Sequence, residues 1–212
     1  MKKAYIFDFD GTIANTFADS LIAFNKALIE YNYPTLALSN LDNINYLDFR
    51  NFIKSLKNIV NVEDIPKLQL AYKNNFLKGA NRHTELYPGI KEVLKTLKNR
   101  GISLSICSNR DQELLEFLVD SLLSDIQFSQ VIGYVKDEPS KPNPYKLFKI
   151  AESENISMDE VLYFGDRSAD ILTAQNASID MVLVSWGQTD DIAPHCNYPV
   201  RIINNPLEIL DL

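Results

Sequence analysis

A chain of 212 residues, 46% of them hydrophobic and 23% charged, can bury a core and form one or two domains. Its formal net charge of -7 opposes binding to nucleic acid, which requires basic patches. Cys107 and Cys196 are too few for a disulfide framework or a zinc site, and the apolar run after Lys3 is too short for a signal peptide or a membrane span. We therefore expect a cytoplasmic protein with no nucleic-acid or membrane partner.

The first predicted element is a strand over residues 4–7, where four consecutive apolar residues indicate burial on both faces of a parallel sheet. Because side chains alternate along a strand, Asp8 and Asp10 project to the same side, and Gly11 lets the chain turn directly afterwards. Two neighbouring carboxylates repel each other unless a cation neutralises them, and oxygen ligands suit a hard ion such as Mg²⁺. On its own, the pattern also fits a strand end followed by a turn.

Residues 16–85 carry helical periodicity without an intervening strand pattern. Three helices are predicted, the first ending before Pro34 and the third near Gly79. We expect a small helical domain inserted after the first strand, with hinges near Asn15 and Thr84. The apolar positions of the three helices are Phe17, Leu21, Phe24 and Leu28; Phe49, Phe52, Ile53 and Leu56; and Ile65, Leu68, Tyr72 and Phe76.

From residue 86 onward, strand and helix patterns alternate, which predicts an α/β fold with a parallel sheet and helices on both faces. Pro88 is expected at the first position of a helix that ends at Gly101. Helices are also expected between the later strands. The further strands are predicted at residues 102–107, 131–135, 161–164 and 181–184, with an edge strand at 200–203.

Polar residues follow the ends of these predicted strands. In an open parallel sheet, ligands bind beyond the carboxyl ends of the strands, so these residues should share one surface with Asp8 and Asp10. Taken singly, each also fits a helix cap, a turn or a solvated charge. The residues are Ser108 and Asn109 after the second strand, Lys141 on a loop stiffened by prolines, and Asp166 and Asp170 after the fourth strand.

The aspartate pair and the later polar residues together resemble the motifs of the haloacid dehalogenase superfamily of phosphohydrolases, in particular its phosphoglycolate-phosphatase-like members. The resemblance covers nearly everything outside residues 16–85, where that family carries a helical cap. It implies a Rossmann-like α/β core formed by residues 1–15 and 86–212. The four motifs, in the family's order, are Asp8-Phe9-Asp10-Gly11-Thr12; Ser108-Asn109; Lys141; and Gly165-Asp166 with Asp170.

The resemblance implies Mg²⁺-dependent hydrolysis of a small phosphorylated metabolite through an aspartyl-phosphate. Asp8 would be the nucleophile, and Asp10 would protonate the leaving oxygen, later deprotonate water, and bind the metal through its main-chain carbonyl. The ordinary aspartate pKa of about 3.9 would leave Asp8 ionised. Asp166 would bind the metal directly, Asp170 would support it from nearby, and Lys141 would neutralise the phosphoryl group.

The same resemblance assigns the phosphoryl oxygens to Ser108, Thr12 and the main-chain amides of Gly11 and Asn109, together with Lys141. The helical cap would close over the site and contact the leaving group. A monomer or a homodimer is expected.

Two departures from the family pattern weaken an assignment to phosphoglycolate: Asn15-Thr16 replaces a frequent Asp-Ser, and Asn176-Ala177-Ser178 replaces a usual Ala-Gly. Arg50 and Lys54 are the cap residues that we consider for substrate choice. A sugar-phosphate mutase with the same motifs is the main alternative, and a phospho-ligand binding module without catalysis is a further one. Dehalogenation is disfavoured because that chemistry needs neither the acid nor the metal.

Overall fold

The computed structural model describes residues 2–37, 60–187, 198 and 201–212. The chain divides into two compact units, one formed by Met1–Asn15 and Leu86–Leu212 and the other by Thr16–Glu85. The predicted helix around Phe49, the cap candidates Arg50 and Lys54, and Cys196 lie outside the described residues. None of the helices within the described ranges is long and apolar enough to cross a membrane.

The smaller unit contains helix α1 (Phe17–Glu30), a 3₁₀ turn (Val62–Asp64) and helix α2 (Ile65–Leu77). The helices bury facing apolar side chains, among which Phe24 and Tyr72 meet edge to face at 6.4 Å between ring centroids. The apolar face predicted for α2 is confirmed at all four positions, since each is buried. Phe17 differs from its prediction, because it begins α1 and is only partly buried.

The larger unit is built on a six-stranded sheet in which every neighbouring pair is parallel. The strands of the described residues are β1 (Ala4–Phe7), β2 (Ala14–Asn15), β3 (Glu85–Leu86), β4 (Ser103–Asp111), β5 (Gln130–Tyr134), β6 (Val161–Gly165), β7 (Asp180–Val184) and β8 (Arg201–Ile203), of which β2 and β3 lie outside this sheet. The strand order is β5-β4-β1-β6-β7-β8, which confirms the predicted α/β sheet. The chain runs outward from β1 to β4 and β5 and then returns to β6 on the other side of β1. Strand order therefore reverses beside β1, where open parallel sheets bind ligands.

Four helices of the larger unit each bury an apolar face, as their periodicity predicts. At the centre of the sheet, the rings of Phe7 and Phe164 stack at 4.6 Å between centroids, which holds the ends of β1 and β6 together. The helices are α3 (Ile90–Asn99), α4 (Gln112–Leu123), α5 (Tyr145–Ser153) and α6 (Ser168–Ala177), with 3₁₀ turns at Met158–Glu160 and Pro206–Asp211.

Two boundaries differ from the sequence-based prediction. Pro88 does not begin a helix, because Gly89 follows it with a φ of 89° and α3 starts at Ile90. A left-handed residue cannot belong to the helix, so it separates the proline from the first turn. Strand β4 also continues to Asp111, which pairs with Tyr134 after a shift in register. Ser108 and Asn109 therefore lie within the last part of the strand.

Candidate active site

Three buried carboxylates meet at the carboxyl end of β1. One carboxyl oxygen from each of Asp8, Asp166 and Asp170 lies within 4.8 Å of the others. The main-chain amide of Asp8 donates to the carbonyl of Phe164 at 2.8 Å, so the β1–β6 ladder continues as far as Asp8. Asp170 lies in the first turn of α6, where its Oδ2 accepts from the amide of Arg167 at 3.2 Å. The structure thus brings together three predicted site residues from separate elements.

Lys141 lies among these carboxylates with its ammonium group 2.6 Å from Asp8 Oδ1 and 2.6 Å from Asp170 Oδ1. It also donates to the Tyr163 hydroxyl at 3.1 Å, and that hydroxyl donates to Asp170 Oδ1 at 2.6 Å. Asn109 fixes the lysine's main chain, because its Oδ1 accepts from the Lys141 amide and its Nδ2 donates to the Lys141 carbonyl. Contacts to the main chain and to the side chain of Lys141 therefore both fix the position of its ammonium group.

Burial changes the acid–base properties of this cluster. Desolvation, only partly offset by Lys141 and reinforced by Asp170 and Asp10, raises the pKa of Asp8 to about 7. Desolvation acts against the Lys141 ammonium, but the Asp170 and Asp8 carboxylates outweigh it and raise the lysine's pKa. The ordinary aspartate pKa therefore does not describe Asp8 in this site. Additional positive charge beside Asp8 is what favours its carboxylate form.

The cluster fits a hard divalent cation. Three carboxylates and the Lys141 ammonium leave an excess of negative charge in a buried space, and carboxylate oxygens are the ligands that Mg²⁺ prefers. Two glycines let the backbone close around Asp166. A Cβ on Gly11, whose φ is 87°, would lie 2.0 Å from Asp166 Oδ2, and one on Gly187 would lie 2.6 Å from the same atom. Asp8, Asp166 and Asp170 are the side chains that would hold the metal.

The Asp10 carboxylate is separate from this buried group and forms a bidentate ion pair with Arg110. The Arg110 Nε lies 2.9 and 3.0 Å from the two carboxylate oxygens of Asp10, and Nη2 lies 2.7 Å from Oδ1. The Asp10 side chain is 28% exposed, whereas that of Arg110 is 8% exposed. A charged partner thus holds the Asp10 carboxylate.

The predicted phosphate ligands have differing partners in the structure. Ser108 is buried and its Oγ accepts from the Arg110 amide at 3.1 Å. The Thr12 hydroxyl points to Asp166, with its Oγ1 3.5 Å from Oδ1. The Gly11 amide donates to the carbonyl of Ala14 at 2.9 Å, and its role as a donor to phosphate stays a prediction. Thr12 thus borders the carboxylate cluster, and Gly11 contributes through its missing side chain. Ser108 lies two residues beyond Ile106, which pairs with Phe7 in the sheet.

Several residues at the site were not singled out by their sequence pattern. Arg110 directly follows the second motif, so its charge was a usable signal. Tyr163 supplies a hydroxyl in the middle of an otherwise apolar strand, which is a weaker signal. Trp186 and Gly187 follow β7. The Trp186 Nε1 donates to the Thr12 carbonyl at 3.1 Å, and this hydrogen bond stabilises the turn after Asp10. Their proximity to the first motif depends on the sheet order.

Comparison with known proteins identifies close counterparts over most of the chain. The family model described as haloacid dehalogenase-like hydrolase matches residues 5–184. A phosphoglycolate phosphatase of Haemophilus influenzae is 29% identical over 88% of this chain and 87% of its own length, and one of Mannheimia succiniciproducens is 25% identical over 97% and 96%. The crystal structure of CbbY from Rhodobacter sphaeroides, solved with phosphate, has a TM-score of 0.83 at 18% identity and covers all of both chains.

Proposed function

The chain belongs to the haloacid dehalogenase-like hydrolase family, and on this basis we propose that it is a Mg²⁺-dependent phosphatase acting through an aspartyl-phosphate. It is a phosphoric monoester hydrolase whose substrate is a small phosphorylated metabolite. The observation that supports this most strongly is the buried contact of Lys141 with Asp8 and Asp170 beside Asp166. This arrangement supplies a nucleophile, a fixed positive charge and a set of metal ligands at one point.

In the first step, a carboxylate oxygen of Asp8 attacks the phosphorus atom of the ester. The bond from phosphorus to the leaving oxygen breaks, and Asp10 gives that oxygen a proton. A phosphomonoester dianion repels an anionic nucleophile, so the site must supply positive charge. Lys141 supplies part of it next to Asp8, and Ser108 holds a phosphoryl oxygen.

In the second step, water attacks the phosphorus atom of the aspartyl-phosphate and transfers a proton to Asp10. The acyl-phosphate bond breaks, which releases inorganic phosphate and restores Asp8. A bound Mg²⁺ would orient the phosphoryl group, neutralise its charge and favour the Asp8 carboxylate. We further propose that residues 16–85 form the cap that the family resemblance implies and that this cap contacts the leaving group.

The test is release of inorganic phosphate from p-nitrophenyl phosphate and from a panel of small phosphomonoesters in the presence of Mg²⁺. Phosphoglycolate belongs in the panel because it is the substrate named for the relatives, and sugar phosphates should be included beside it. We expect stoichiometric release of phosphate and alcohol from at least one member. Interconversion of sugar phosphates without free phosphate would instead show a mutase, and binding without turnover of any ester would show a non-catalytic module.

Asp10→Asn is expected to slow the hydrolysis of an alkyl phosphate by on the order of 10²- to 10⁴-fold, because the variant lacks the proton donor. The loss should be much smaller for p-nitrophenyl phosphate, whose leaving group departs as a stable anion. The variant also lacks the base for the second step, so the phosphorylated protein should accumulate in mass spectra. Equal losses for both substrates without accumulation would contradict the role of Asp10. Asp120→Asn, at an exposed position of α4, is the matched control.

A further inference from the structure

Lys146 is a second buried lysine close to the proposed phosphoryl site. It lies in the first turn of α5 and is 0% exposed, on the same buried face as Leu147 and Ile150. Its Nζ donates to the main-chain carbonyl of Ser108 at 2.8 Å. Because an ammonium loses its hydration on burial, an apolar residue would fill such a position at lower cost. The presence of a lysine here therefore calls for an explanation beyond packing.

The two buried lysines contact adjacent residues at the end of β4. Lys141 is bonded through its main chain to the Asn109 side chain, whereas Lys146 is bonded through its ammonium to the Ser108 carbonyl. Both lysines also interact electrostatically with Cys107, the residue before Ser108. Burial raises the pKa of the Cys107 thiol to about 11, and Lys141 and then Lys146 act in the opposite direction. Both lysines thus place positive charge next to the segment that carries Ser108.

We propose that Lys146 is a positioning residue of the phosphoryl site: it fixes the Ser108 carbonyl, and with it the Ser108 hydroxyl, and adds a buried positive charge behind that segment. The proposal rests on the proposed phosphatase function and concerns how the same site binds phosphate. Ser108 Oγ already accepts from the Arg110 amide, so the direction of its hydroxyl depends on the backbone that Lys146 holds. A positive charge close to the segment strengthens its interaction with a dianion.

The test compares Lys146→Met, which removes the charge and the hydrogen bond, with Lys146→Gln, which keeps a donor without the charge. We expect the inhibition constant of inorganic phosphate to rise about tenfold in Lys146→Met, on the scale of one charged hydrogen bond, with a smaller rise in Lys146→Gln. The loss in kcat/KM should appear in both KM and kcat, because the phosphoryl group is held in the ground state and during transfer. Thermal unfolding should be measured for both variants, because Lys146→Met leaves the buried Ser108 carbonyl without its ammonium donor and is expected to lower the unfolding temperature.

Lys149→Met is the matched control, because Lys149 lies on the same helix, is 45% exposed and pairs with Glu138 at 3.4 Å. Its phosphate inhibition constant and kcat/KM should stay within about twofold of the wild type, as for other surface ion pairs. Unchanged phosphate inhibition in folded Lys146→Met would overturn the proposal. If Lys146→Met does not fold, equal inhibition of the wild type and Lys146→Gln would overturn it in the same way. A wild-type protein that neither binds phosphate nor releases it from any ester would overturn the phosphatase function itself.

Discussion

Asp8→Asn is expected to abolish phosphate release, with a loss on the order of 10⁴-fold or more, as for other nucleophile replacements. An amide cannot form the acyl-phosphate, so neither step of the reaction can proceed. The fold should survive, because asparagine has nearly the same shape and the replacement relieves a buried carboxylate whose pKa is raised to about 7. The measurements are phosphate release with p-nitrophenyl phosphate and mass spectrometry for a phosphorylated protein.

The same variant distinguishes loss of chemistry from loss of the site. Lys141 and Ser108 remain in Asp8→Asn, so a phosphate analogue should still bind, and one repelling negative charge is gone. Asp180→Asn provides the control, since Asp180 is 74% exposed and pairs with Lys2 at the amino ends of the strands, whereas the reacting groups lie at the carboxyl ends. Loss of the nucleophile should leave a residual rate far below a hundredth of the wild-type rate. If Asp8→Asn turns over substrate at more than about a hundredth of the wild-type rate, another group attacks phosphorus.

Removal of divalent metal is the second change with a large expected effect. After dialysis against EDTA, activity should fall to background and return with Mg²⁺, whereas Ca²⁺ should restore little, because its longer and more variable bonds misplace the nucleophile. The structural reason is the set of three buried carboxylates within 4.8 Å of one another, whose charge Lys141 only partly balances.

Metal binding can also be measured without turnover. Mg²⁺ should raise the unfolding temperature of the wild type by binding the folded state, and this shift should be lost in Asp166→Asn, whose carboxylate lies between Gly11 and Gly187. Asp120→Asn should keep the shift. Full activity in metal-free buffer would contradict the metal requirement.

Much of the larger unit follows from local pattern. The strands ending near Phe7 and Phe164 are apolar runs bounded by polar residues, so their existence and nearly their limits could be predicted. The strand predicted to end at Cys107 was also found, but it continues to Asp111. Because parallel strands present their carboxyl ends to one edge, residues that follow those strands lie together whatever the details of packing. Local pattern was less reliable at Pro88, where the conformation of the next residue, Gly89, decided the start of α3.

The partners of the site residues depended on the tertiary structure. The sequence placed Arg110 next to the second motif, but the sheet order brings it to Asp10, 100 positions earlier in the chain. Lys146 occupies a helix face that it shares with Leu147, and only the packing of α5 against the end of β4 places its ammonium on Ser108. The raised pKa of Asp8 likewise results from burial by residues that are remote in sequence. Periodicity determines which face of a helix or strand is buried. How the helices and strands pack determines which groups meet that face, and therefore the electrostatic environment of its side chains.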